Sequence, residues 1–176
     1  MNRYLALAAA SVAALALPAA VHAEDAQAPA CAAVPAPLPT ELASWPDRAP
    51  LDAARRADRI GEATLTVGKA VDAVLARTAD VKYVLRPEKP GGSVSYGGLF
   101  AFTAEQTGTF RVALGSGAWI DVVKDGKAVE STAHGHGPDC TGVRKMVDFP
   151  LEPGSYILQI AANGQAQLPL LVTRLP

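Results

Sequence analysis

After residue 61 no part of this chain keeps a 3.6-residue apolar period long enough for a helix. Its apolar residues instead alternate in short runs broken by glycine and proline. That pattern restricts the fold to strands. Val71, Ala73 and Leu75 alternate with Asp72, Val74 and Ala76, and Val81, Tyr83 and Leu85 alternate with Lys82 and Val84. Residues 87–92 interrupt the chain, and 99–102, 110–114 and 119–123 read as further strands bounded by glycine. Tyr156, Leu158 and Ile160 share one strand face, and Leu168, Leu170 and Val172 share another.

The turns between these runs carry their own chemistry. Asp125-Gly126 stands between Val122-Val123 and Ala128-Val129, as in a two-residue type I′ hairpin, whose central residues need positive φ. Pro153-Gly154 predicts a type II turn, and Asn163-Gly164 predicts a hairpin or short loop. The glycine-rich stretch 91–98 lacks the Lys-Ser/Thr ending of a phosphate loop and reads as a long connection at a sheet edge. The expected fold is all-β. It is one antiparallel β-sandwich over residues 63–176, jelly-roll or Greek-key like, with an extended leader before it.

The N-terminal part differs in composition. Arg3, an uncharged apolar run over 4–17, Pro18 and Val21-His22-Ala23 form an export signal with a small-x-small cleavage site. Residues 1–23 are therefore expected to be removed, and the protein to be periplasmic or secreted. No integral membrane segment is expected after cleavage. Residues 24–62 form the proline- and alanine-rich leader. Within it, 51–60 could make one or two helical turns, with Leu51, Ala54 and Ala57 on one face and Gly61 as the stop.

Charge narrows the partners. Without Arg3 the 16 basic residues fall to 15 against 17 acidic ones, a net charge of −2. A nucleic-acid surface would need a basic excess, so no nucleic-acid partner is expected. Cys31 and Cys140 are the only cysteines. Beyond an inner membrane two thiols tend to be oxidised, which predicts a disulfide pinning the leader to the domain.

Three stretches support a resemblance over almost the whole mature chain: residues 87–100, residues 115–122, and the histidine-bearing residues 134–140. They are similar to a family of small exported proteobacterial proteins whose members sometimes carry the name homogentisate 1,2-dioxygenase. Residues 67–71, 108–112 and 151–156 also resemble the bacterial pre-peptidase C-terminal domain and related small sandwiches. The second resemblance implies an accessory secreted β-sandwich. The first implies, as an alternative, a non-haem iron dioxygenase. The histidine and glutamate ligand pattern of those iron enzymes does not recur here, so no site residue carries over.

The candidate chemistry concentrates in residues 134–140. His134 and His136 are two apart, which places both on one side of an extended backbone, and Asp139 could add an oxygen. Copper, zinc or iron would suit imidazole donors, and two histidines with a carboxylate are the inventory of an iron oxygenase. The same stretch also reads as an exposed loop held by Cys140. A third class is a carbohydrate or cell-envelope binding module. Its platform would be Trp119 and Asp121 on one strand face, with Tyr96 in the glycine-rich stretch. The leading expectation is a non-catalytic binding or accessory protein that takes a metal ion or a small envelope ligand.

Overall fold

A computed structural model describes Cys31 and residues 37–176. The export signal lies outside the described residues. Among them the strands are β1 (Ala49–Asp52), β2 (Val71–Val74), β3 (Ala76–Arg77), β4 (Tyr96–Ala104), β5 (Gly108–Leu114) and β6 (Trp119–Lys124). They continue as β7 (Lys127–Ala128), β8 (Ala133–Gly135), β9 (Lys145–Leu151), β10 (Gly154–Asn163) and β11 (Gln167–Arg174). They form two sheets, in the orders β1-β2-β11-β5-β9-β8 and β3-β4-β10-β6-β7. Every pairing is antiparallel except β1 with β2. The protein is an all-β sandwich.

Alternation builds the core. Phe100 and Phe102 of β4 lie opposite Leu158 and Tyr156 of β10. Val112 and Leu114 of β5 lie opposite Val172 and Leu170 of β11. These side chains are buried together with Val147, Phe149 and Leu151 of β9 and Ile120 and Val122 of β6. Burying each such side chain contributes about 1.5–3 kcal/mol, so a one-residue slip of any strand would forfeit several of them at once. Tyr156 also stacks on Phe102 at 5.5 Å between ring centroids. Its hydroxyl donates to the Glu152 carbonyl at 2.7 Å and accepts from the Glu152 N–H at 3.1 Å, tying the start of β10 to the preceding turn.

The turns agree with the sequence in part. Asp125 and Gly126 have φ of 51° and 73°, as a type I′ hairpin between β6 and β7 requires. Gly154 has φ of 147°, away from the left-handed value a type II turn places at its third residue. The Asn163-Gly164 connection is a short loop between sheets and not a hairpin, because β10 and β11 belong to different sheets. Asn163 is buried and holds that loop by donating to the carbonyl of Gln165 at 2.6 Å.

Two segments differ from their apolar pattern. Residues 51–60 do not form an α-helix: the chain makes strand β1 and then a 3-10 helix at Ala57–Glu62. With so little apolar surface on that stretch, pairing with β2 satisfies its backbone better. β1 belongs to the first sheet, so the sandwich reaches back into the leader. Residues 81–85 alternate like a strand but form none. They lie against the outer face of β10, where Tyr83 donates to the Ile160 carbonyl at 3.2 Å. Gly97 permits this approach, since a methyl there would run into the Tyr83 hydroxyl and the Ile160 carbonyl.

The described part of the leader around Leu42 and Trp45 packs on the outer face of the first sheet. Leu42 and Trp45 are buried against Ala70, Ala113, Val143 and Leu171. Trp45 Nε1 donates to the Thr141 carbonyl at 3.0 Å. Cys31 and Cys140 are joined in a disulfide, with their Cα atoms 5.3 Å apart. No helix of the described residues is long and apolar enough to cross a membrane.

Candidate functional site

β6 positions the first part of the site. Trp119 and Asp121 are two residues apart on the face turned away from the core, and both are half-buried. Trp119 Nε1 donates to Asp121 Oδ1 at 2.9 Å. Asp121 Oδ2 accepts from Gln159 Nε2 at 3.3 Å. Gln159 lies on the adjacent strand β10, directly across from Asp121, and is fully buried. Its Oε1 accepts the N–H groups of Val84 and Leu85 at 2.6 and 3.0 Å, and its Nε2 also donates to the Leu85 carbonyl at 3.2 Å. One hydrogen-bonded chain therefore runs from the backbone of residues 84–85 through Gln159 and Asp121 to the indole. It fixes the edge of Trp119. Burial pushes the Asp121 carboxyl above the usual carboxylate range, opposed by the hydrogen bonds from Trp119 and Gln159.

Lysines bring in the second part. Lys145 opens β9 and reaches across to donate to the Ala118 carbonyl at 2.8 Å. Its ammonium stands 5.8 Å from the centre of the Trp119 ring. The Lys89 ammonium stands 5.6 Å from the same ring. Burial, and then the charge of Lys89, lower the Lys145 ammonium below the usual lysine value. Among the described residues neither lysine has a carboxylate within 4 Å, and every ion pair uses arginine.

His134 completes the site. It lies on the exposed edge strand β8, opposite Val147 of β9. His134, Lys145, Val147, Lys89, Trp119 and Asp121 line one cleft of about 470 Å³, open to solvent between the β6 side of one sheet and the β8–β9 side of the other. Two sequence expectations thus converge, since the candidate metal ligand His134 shares a cleft with the candidate platform of Trp119 and Asp121.

The other expected residues lie elsewhere. Tyr96 is on β4, under the Arg77 guanidinium at 5.8 Å, and does not line the cleft. His136 is exposed, with Nδ1 2.8 Å from the Arg144 carbonyl. Asp139 is exposed in the turn beyond it. Cys140 is spent in the disulfide and offers no thiolate. Among the described residues no three histidine, cysteine, aspartate or glutamate side chains form a group that could hold a metal ion. The two histidines and one carboxylate of an iron-oxygenase set are thus not gathered at one point among the described residues.

A second cleft, of about 540 Å³, is lined by Thr64, Thr66, Glu105, Gln106 and Arg174 among others. Its charged groups are of opposite sign, and its only aromatic, Phe110, is buried in the core.

Sequence reasoning missed Lys89, Lys145 and Gln159. Lys145 had a readable signal. It heads the alternating run Lys145, Val147, Phe149, Leu151, whose other members are all core. A lysine at an inward register position is a departure that calls for a polar role. Gln159 had the mirror signal, an amide amid the apolar run Leu158, Ile160 and Ala161. Neither a scan against protein-family models nor a search of the curated proteins finds a match to this chain.

Proposed function

We propose that this chain is a non-catalytic, secreted or periplasmic binding protein, and that it takes a small envelope ligand, a glycan or cell-wall fragment, into the Trp119 cleft. The observation that carries this reading is the state of the indole. Trp119 is half-buried in an otherwise well-packed sandwich, its edge is held by Asp121, and polar groups from two sheets surround it. A fixed aromatic beside polar groups suits a ring with an apolar face and a hydroxylated rim. The disulfide is compatible with an extracytoplasmic location.

Metal binding through His134 and His136 has less support. The two imidazoles find no third donor among the described residues, and His134 shares its cleft with two ammonium groups that oppose a cation. The dioxygenase alternative needs the same missing carboxylate.

The test is a fluorescence titration with neutral and acidic glycans and soluble cell-wall fragments. Saturable change is expected in the wild type. In Trp119→Phe the buried Trp45 should report no change, and affinity measured by calorimetry should fall at least about tenfold, some 1.4 kcal/mol. A wild type that shows no saturable response to any of these ligands, or a variant that binds as well, would overturn the reading.

A further inference from the structure

We infer that the ligand of the Trp119 cleft is an acidic sugar, with its ring laid against the indole and its carboxylate or phosphate taken by Lys89 and Lys145. This rests on the binding role argued above and names its substrate class.

The chain as a whole carries a net charge of −1, so a positive cleft is a local construction. Lys89 and Lys145 converge on one ring from different parts of the chain, at 5.6 and 5.8 Å from its centre. Two ammonium groups so placed repel each other, and neither has a carboxylate within 4 Å among the described residues. Asp121 lies in the same cleft, but its two oxygens already accept Trp119 Nε1 and Gln159 Nε2. Glu88 is exposed and close enough to raise the Asp121 carboxyl, yet it pairs with neither lysine. His134, on β8 beside the β9 strand that Lys145 opens, adds a third basic side chain to the lining. An anion between the lysines would offset this repulsion.

Geometry then selects a ring. Both ammoniums stand over the Trp119 ring, close to the outer limit of cation–π contact at about 6 Å. At that range the contacts are weak, and a sugar ring would take the indole face by displacing the exposed Lys89. Lys89 is exposed and free to follow a ligand, whereas Lys145 is anchored on the Ala118 carbonyl. A saccharide ring against Trp119 would carry a substituent anion within reach of both.

Protonation gives a second handle. The Lys145 ammonium is held below the usual lysine value by burial and by Lys89. An adjacent anion favours its charged form, so binding at an alkaline pH where Lys145 is partly neutral should draw a proton onto it, and affinity should weaken as pH rises through that range.

The experiment compares three probes on the full chain by Trp119 fluorescence and calorimetry: a uronate-terminated disaccharide, its neutral hexose counterpart and a hexose phosphate. One acidic probe is expected to bind at least about tenfold tighter than the neutral one at low salt, with the preference shrinking severalfold in about 0.5 M salt. Which acidic probe prevails identifies the anion. In Lys145→Gln the acidic-to-neutral affinity ratio should fall at least about threefold, while Lys127→Gln on the exposed β7 hairpin should keep it. Calorimetry in two alkaline buffers of different ionisation enthalpy should show proton uptake in the wild type and less in Lys145→Gln. Equal or tighter binding of the neutral sugar, or an unchanged ratio in a folded Lys145→Gln, would sink the acidic-ligand inference and leave the binding role standing. Silence from every sugar and cell-wall fragment would remove both.

Discussion

At the scale of single residues, Gln159 carries more than its place in a strand suggests. Its side chain is fully buried and serves two backbone donors, one backbone carbonyl and the Asp121 carboxylate. Only a side chain with both an acceptor and a donor end can do this. Gln159→Glu keeps the shape and the acceptor but removes the donor, and it sets a second carboxylate against Asp121. Burial and like charge both raise the pKa of the new carboxyl in the folded chain above its unfolded value. The folded state then binds more protons, so stability falls as pH rises through that raised value and recovers towards wild type in acid. At neutral pH we expect a loss of about 2–4 kcal/mol in urea unfolding. A variant whose deficit is the same at acid and neutral pH would show that Gln159 merely fills space.

At the scale of elements, short runs with unambiguous partners were legible in sequence. The 99–102 and 119–123 runs lie within β4 and β6, and Asp125-Gly126 turns where its chemistry requires. Residues 81–85 were misleading because alternation reports two-sided burial and not the source of the hydrogen bonds. Here a glutamine side chain, rather than a neighbouring strand, satisfies the N–H groups of Val84 and Leu85. The cleft was half legible. Trp119, Asp121 and His134 stood out by residue type, whereas Lys145 is legible only by its register, as the polar head of the alternating run Val147, Phe149, Leu151. The docking of the leader rests on contacts of comparable sequence distance. Arg111 on β5 makes a two-pronged pair with Asp148, directly opposite on β9, at 2.7 and 2.8 Å, and reaches Glu41 beside the buried Leu42 at 3.4 Å. Arg111→Met would strand the buried Asp148 carboxylate at a cost of about 2–4 kcal/mol, whereas Glu41→Gln should cost less than about 1 kcal/mol. Adding Asp148→Asn to Arg111→Met should restore part of the loss. If the double variant is no more stable than Arg111→Met, the cost lies in the lost packing of the arginine stem instead.

At the scale of the whole molecule, the leader is attached to the sandwich both by one covalent bond and by packed contacts, and the two act differently. The disulfide closes a loop with a sequence separation of 109, so it joins the leader to residues that arrive only after β8. Between those ends the leader already has its own attachments: buried Leu42 and Trp45, the Trp45–Thr141 hydrogen bond, and β1 paired with β2. These contacts hold the folded state. The disulfide adds to them chiefly by restricting the unfolded chain, and a loop of this size contributes about 4–5 kcal/mol in the chain-entropy account. The double variant Cys31→Ser, Cys140→Ser should therefore keep the native near-ultraviolet spectrum and a buried Trp45 while its thermal midpoint falls by roughly 8–20 °C. Two sources of stability leave different marks in this variant. A restraint on the unfolded chain lowers the midpoint without exposing Trp45, whereas a bond that itself holds the leader down would expose Trp45 to quenchers well below the midpoint. An unchanged midpoint would mean that the unfolded chain already keeps these ends together, and the leader contacts would then account for all of the attachment.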